Sequence, residues 1–124
     1  MRPSVNIQEG VFTPDNLIAG DFPVVTDTVT IAAGQVLQRG AVLGKITASG
    51  QYVLSDAGAT DGSQTPVAIL AEDVDASSGD EEATVYLTGE FNARRITYGS
   101  GHTVATVKDA LRQVGIFIKN TVGA

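Results

Sequence analysis

"ATVYLTGEFN", residues 83–92, alternates without a break: Ala83, Val85, Leu87, Gly89 and Phe91 fall on one side, and Thr84, Tyr86, Thr88 and Glu90 on the other. A period of two sustained over ten residues marks a half-buried β-strand, because a helix would scatter the same apolar residues around its axis. Just upstream, "PVAILAEDV" (66–74) starts apolar on both faces, as a buried strand does, and Pro66 fits only at its first position. Between them "DASSGDEE" (75–82) is a polar turn. The two strands are therefore expected to form a long antiparallel hairpin with one face buried.

Further toward the N-terminus the β pattern continues. "VVTDTVTI" (24–31) sets Val25, Asp27, Val29 and Ile31 against Thr26, Thr28 and Thr30, a β-branched stretch suited to a strand. "GQVLQRGAVLGKI" (34–46) carries glycine at 34, 40 and 44, and Gly40 splits two short apolar runs as a turn or bulge would. "TASGQYVLS" (47–55) reads as a hairpin with Ser49-Gly50 at its tip, and "DAGATDGSQT" (56–65) as a loop. Only near the end does the period change. "TVATVKDALRQVG" (103–115) spaces Val104, Val107, Leu111 and Val114 for a helix, with Thr103 as N-cap, Gly115 as C′ residue, and Asp109 and Arg112 on the polar side. "IFIK" (116–119) is a last short strand. The fold class is mainly β (α+β): one compact β-rich domain with a short C-terminal helix.

Residues 1–21, "MRPSVNIQEGVFTPDNLIAGD", sustain neither period and read as a flexible N-terminal arm, with the β-rich domain running from 22 to 124. The arm still carries Val5, Ile7, Val11, Phe12, Leu17 and Ile18. Two readings stand side by side: it packs along its own domain, or it orders against another chain.

Composition excludes several functions. At 124 residues there is one core to bury, and it is built from Val, Ile, Ala and Leu, with four Phe, three Tyr and no Trp. Fourteen acidic residues against eight basic ones give a net charge of −6, and the basic residues are scattered, only Arg94 and Arg95 being adjacent. Nucleic-acid binding depends on a basic patch or stripe that neutralises phosphates, so neither DNA nor RNA is an expected partner. Without cysteine there is no disulfide, no thiolate nucleophile and no Cys-ligated zinc. No run is long enough to span a bilayer and the first 20 residues lack a signal peptide's pattern, so the chain reads as soluble and made without an export signal.

Few residues could carry chemistry. His102, the one histidine, sits in "YGSGHT" (98–103); the Gly-x-Ser-x-Gly nucleophile motif would need glycine where Tyr98 and His102 stand, and nothing aims Ser100 at the imidazole. A surface loop histidine is the simpler reading. The acidic run Asp73, Asp75, Asp80, Glu81 and Glu82 invites a calcium site, but an EF-hand begun at Asp73 needs Gly at 78 and Glu at 84, where Ser78 and Thr84 occur. It reads instead as a solvated hairpin tip. "GKIT" (44–47) lacks the glycine and the hydroxyl of a phosphate loop. A biotin- or lipoyl-type carrier has a rhythm that Gly34, Val36 and, one residue late, Gly40 and Leu43 approximate, but Lys45 lies inside an apolar run rather than at an exposed tip. A host carrier, a generic β interaction module and a small metal-binding domain remain the alternatives.

"GQVLQRGAVLGKI", "YVLSDAGATDGSQTPVAILAEDVDASSGD" and "ATVYLTGEFN" together resemble the head decoration protein family of tailed bacteriophages, the group that includes the lambda decoration protein D. The resemblance covers about residues 20–120, and its most specific part is the order of these segments. It implies a compact β-rich fold and a structural role without catalysis or cofactor: a capsid cement made in the host cytoplasm. Such proteins sit as homotrimers on the outer surface of the expanded head, at threefold and quasi-threefold positions, and resist internal DNA pressure. The implied partner is the major capsid protein, with no nucleic acid and no membrane involved. The family's N-terminal segment orders on the capsid as an added strand. Here Val11, Phe12, Pro14, Leu17, Ile18 and Phe22 are the candidate anchors, for their apolar or chain-stiffening character in an otherwise unpatterned stretch. The chain departs from lambda D through most of the arm and in the helical segment.

Overall fold

The computed structural model describes residues 17–18 and 23–119. In chain order these form β1 (Val25–Ile31), β2 (Val36–Leu37), β3 (Val42–Lys45), β4 (Tyr52–Leu54), β5 (Pro66–Leu70), β6 (Val74–Asp75), β7 (Glu81–Asn92), a 3-10 turn (Ala93–Arg95), α1 (Val104–Arg112) and β8 (Ile116–Lys119). No helix among the described residues is long and apolar enough to cross a membrane.

The long alternating strand, β7, is the spine. It runs antiparallel to β1 from Glu81 opposite Ile31 to Thr88 opposite Val25, antiparallel to β5 at Val85 and Tyr86, and parallel to β8 from Gly89 to Asn92. From β5 the sheet continues through β3 to β4, which returns to β1 by one parallel bridge between Ile31 and Tyr52. The order β1-β4-β3-β5-β7 thus closes on itself, with β8 appended outside the ring. The expected hairpin of β5 and β7 is present but is the lesser partnership. Its connection is interrupted by β6, which pairs with β2 as a separate two-stranded ribbon, and most of β7 belongs to β1.

Two cores result, one on each side of the ring wall. Inside lie Ile31, Ala41, Leu43, Ala68, Leu70, Val74, Ala76, Ala83 and Val85. A closed ring of few strands leaves a narrow bore, which four alanines among mid-sized aliphatic residues fill where an indole would not fit. Outside lie Val42, Ile69, Tyr86, Phe91, Ile116 and Ile118, roofed by Val107 and Leu111 of α1 and joined by Leu17. β5 serves both: Ala68 and Leu70 point inward and Ile69 outward, which is why its sequence is apolar on both faces.

The helix starts as expected, with Thr103 Oγ1 accepting from Thr106 N at 3.3 Å and Thr106 Oγ1 accepting from Thr103 N at 2.9 Å. Its end differs by one residue. Gln113 is the C-cap, and the left-handed Gly115 (φ 91°) lies one position beyond C′. Val114 is therefore past the helix and exposed.

The alternation of β7 also breaks where the sequence hides it. Phe91 does not share a face with Ala83, Val85 and Leu87; it lies in the outer core, its ring centroid 5.2 Å from that of Tyr86. The register against β1 skips Leu87, and Thr88 fills the gap: its Oγ1 accepts from Val25 N at 3.0 Å and donates to the Pro23 carbonyl at 2.8 Å. Next to it Gly89 takes φ 143°, and a Cβ there would meet the Phe91 ring at 2.9 Å. An irregularity of this kind shifts all later side chains to the opposite face.

Candidate functional site

The place where the N-terminal segment meets the domain is built on the end of β7. Leu17 is 1% exposed and packs in the outer core, while its carbonyl accepts from Asn92 N at 2.7 Å. Ile18 bridges Phe91 in the antiparallel sense and is 41% exposed. The backbone is thus clamped at Leu17, with the next side chain turned to solvent. Asn92 itself is buried; its Oδ1 accepts from Arg94 N at 3.0 Å and starts the 3-10 turn, and its Nδ2 has no partner among the described residues.

Beside Leu17 opens a cleft of about 300 Å³, walled by Gln38 and Arg39 on one side and by Arg94, Arg95, Ile96 and Thr97 on the other. Gly40 brings the walls together. It takes φ 97°, and a Cβ there would run into the Arg95 carbonyl and lie 3.7 Å from Leu17 Cδ1. Only glycine accepts both the left-handed backbone and the close approach. Thr97 N donates to Gly40 O at 3.1 Å and Val42 N to Thr97 O at 2.7 Å, closing the seam. Arg39 is held in place: Nη1 donates to the Ala71 carbonyl at 3.0 Å and to Tyr86 Oη at 2.7 Å, with the guanidinium 5.6 Å from the Tyr86 ring centroid. Arg94 and Arg95 are exposed, and neither makes an ion pair among the described residues.

A second gathering of polar side chains surrounds His102. Its Nε2 lies 3.1 Å from both Ser55 Oγ and the Gln64 carbonyl, and its Nδ1 lies 3.1 Å from Thr106 Oγ1. The serine that meets the imidazole is therefore Ser55, not the neighbouring Ser100. This is no nucleophile and base. A carbonyl only accepts, so Nε2 carries a proton and donates to Gln64; Ser55 already donates to Ser63 O at 2.8 Å and receives the same N–H. A protonated Nε2 has no lone pair with which to deprotonate the hydroxyl.

The acidic turn is likewise dispersed into backbone caps. Asp73 Oδ1 accepts from Arg39 N at 2.9 Å, Asp80 from Ala33 N and from Gln51 Nε2, and Asp75 from Ser77 N and Oγ. Among the described residues no three His, Asp or Glu side chains come together as a metal site. Lys45 ends β3, exposed, just before the turn to β4 rather than at the tip.

The family model of bacteriophage lambda head decoration protein D matches residues 6–117. The chain belongs to this family. No curated protein matches it. Membership makes the chain a decoration protein of the phage head, placed on the virion capsid and in a structural rather than an enzymatic family.

For a head decoration protein the surfaces that matter are those that meet the capsid. Of the expected anchors, Val11, Phe12, Pro14 and Phe22 lie outside the described residues. Leu17 is a core residue of the domain and Ile18 stands exposed beside it. The arginine cleft was not among the expected sites. Its one sequence signal was Arg94-Arg95, the sole adjacent basic pair, because Arg39 joins them only through the seam at Gly40.

Proposed function

We propose that this chain is a capsid cement protein. It binds as homotrimers to the outer surface of the expanded head, at threefold and quasi-threefold positions, and holds neighbouring capsomers against the pressure of packaged DNA. The N-terminal arm, residues 1–21, is the attachment: a strand added to the major capsid protein, with backbone hydrogen bonds supplying affinity and Val11, Phe12, Pro14, Ile18 and Phe22 supplying register. Leu17 roots that strand in the domain. Three arms on one trimer raise one another's effective concentration, so modest single contacts add up to durable attachment.

The observation that carries this reading is the clamp at Leu17 and Ile18. A chain fixed at its root by a buried side chain and a backbone bond transmits tension into the core of the domain, which a cement must do. Exposed apolar residues around the root support association. Val25 lies opposite Thr88, Val24 lies against Gly89, and Val114 adjoins Gly115, whose carbonyl accepts from Gly89 N.

The test is co-sedimentation with expanded capsids stripped of this protein, comparing the full chain with a version that starts at Asn16 and so keeps Leu17. Saturable binding by the full chain and much weaker binding by the shortened one is the expected outcome. Equal binding would remove the arm from the mechanism, and no binding by either would overturn the cement reading.

A further inference from the structure

The cleft beside Leu17 is an electrostatic exception in this molecule. A chain of net charge −6 sets three of its eight basic residues around about 300 Å³ of accessible space. The walls are rigid: Arg94 N is capped by Asn92 Oδ1, the 3-10 turn is sewn to Gly40 through Thr97, and Arg39 is fixed by Ala71 and Tyr86. Against those fixed walls the side chains of Arg94 and Arg95 stand exposed, with no ion pair among the described residues.

We propose that this cleft is a carboxylate-binding surface whose occupant is an acidic stretch of the major capsid protein beside the arm, a reading that rests on attachment through the arm. Position argues for the partner. Leu17, the root of the proposed attachment strand, itself lines the cleft. Whatever surface the arm adds to is brought to the cleft. Charge argues for the chemistry. Guanidinium groups present paired N–H donors that match a carboxylate, and an acidic domain surrounding one basic spot favours a local anionic group over a polyanion, which needs a stripe. Arg39, held in place by the Ala71 carbonyl and Tyr86, fixes one wall, and Arg94 and Arg95 make the new bonds. The arm then supplies affinity without specificity for charge, and the cleft supplies orientation and a salt-dependent encounter rate.

The experiment compares the full-length protein with the double variant Arg94→Gln, Arg95→Gln for binding to stripped, expanded capsids at low and high sodium chloride. The expected result is about tenfold weaker binding by the variant at low salt, two partly exposed ion pairs per protomer being of that order, and a flatter salt dependence. Its unfolding midpoint should match that of the wild type, since both side chains are exposed. Equal affinity and equal salt dependence, with the wild type binding well, would overturn the cleft while leaving the cement reading intact. Failure of the wild type itself would bring down that reading and the cleft with it. Asp15→Asn separates the remaining source of carboxylate. If it lowers the stability of the free protein, and the double variant lowers it by the same non-additive amount, the cleft holds the chain's own arm and the proposal is wrong.

Discussion

The loops around His102 and the cleft beside Leu17 both gather polar side chains on a small domain, and they differ in what is left over. Around His102, Nε2 has the Gln64 carbonyl and Ser55 Oγ, Ser55 has the Ser63 carbonyl, and Nδ1 has Thr106. That cluster is closed on itself, and its product is the fixed arrangement of three loops. At the cleft the backbone is just as firmly tied, yet two guanidinium groups face solvent without an anion among the described residues. The comparison teaches that in a head decoration protein hydrogen bonding alone does not mark function. A rigid frame beside Leu17 whose Arg94 and Arg95 have no ion pair among the described residues is the better mark.

The largest effect is expected where the frame of the cleft is made. Gly40→Val combines a left-handed backbone that β-branched residues avoid with a Cβ driven into the Arg95 carbonyl, a backbone atom that cannot swing aside. The loss should reach about 3–5 kcal/mol, adding backbone strain to overpacking. A urea titration reads it directly. A midpoint close to that of the wild type would mean that the two walls can part freely, and the cleft would then lose its claim to rigidity.

Much of this frame was legible in the sequence. Alternation located β7, the two-sided apolar run located β5, Thr103 located the helix start, and Gly40 stood out as a turn between apolar runs. What escaped shares one cause: it depends on pairings far apart in sequence. The β-branched run 25–31 announced a strand but not that its partner would be β7, more than fifty residues on, nor that β4 would close the ring. Phe91 was assigned to the wrong face because period-two reading assumes an unbroken ladder, and the interruption at Thr88 is made by a side chain standing in for backbone. The site was less legible than the fold. Arg39 meets Arg94 and Arg95, and Ser55 meets His102, only after the ring has closed.

His102→Ala should produce the next effect and break the comparison from the other side. Removing the imidazole leaves the Gln64 carbonyl and the buried Ser55 hydroxyl short of a donor, a loss of roughly 1–3 kcal/mol. Capsid affinity should stay unchanged. Together with the arginine double variant this makes a crossed pair, one change costing stability without binding and the other binding without stability. If His102→Ala weakened capsid binding as strongly as it weakened the fold, the closed cluster would belong to the functional surface and the distinction between the two regions would fail.

The smallest effect is electrostatic and lies at the edge of the closed cluster. Asp61 Oδ1 accepts from Ser63 N at 3.0 Å and from Ser63 Oγ at 2.5 Å, and Ser63 in turn offers its carbonyl to Ser55. Asp75 repeats the device with Ser77, at 3.0 and 2.6 Å, on the ribbon of β2 and β6. In both, the hydroxyl bond and then the amide bond to the charged carboxylate hold its pKa below the usual value. A carboxyl with a lowered folded pKa contributes stability above the unfolded value, and that contribution disappears as pH falls through the folded one. Asp61→Asn and Asp75→Asn should therefore each lower the urea midpoint slightly at neutral pH, and the difference from the wild type should shrink once the pH drops below the ordinary carboxylate range. A gap that persisted in acid would mean that the turns are held by shape rather than by charge. The loops would then owe their closure entirely to the hydrogen bonds around His102.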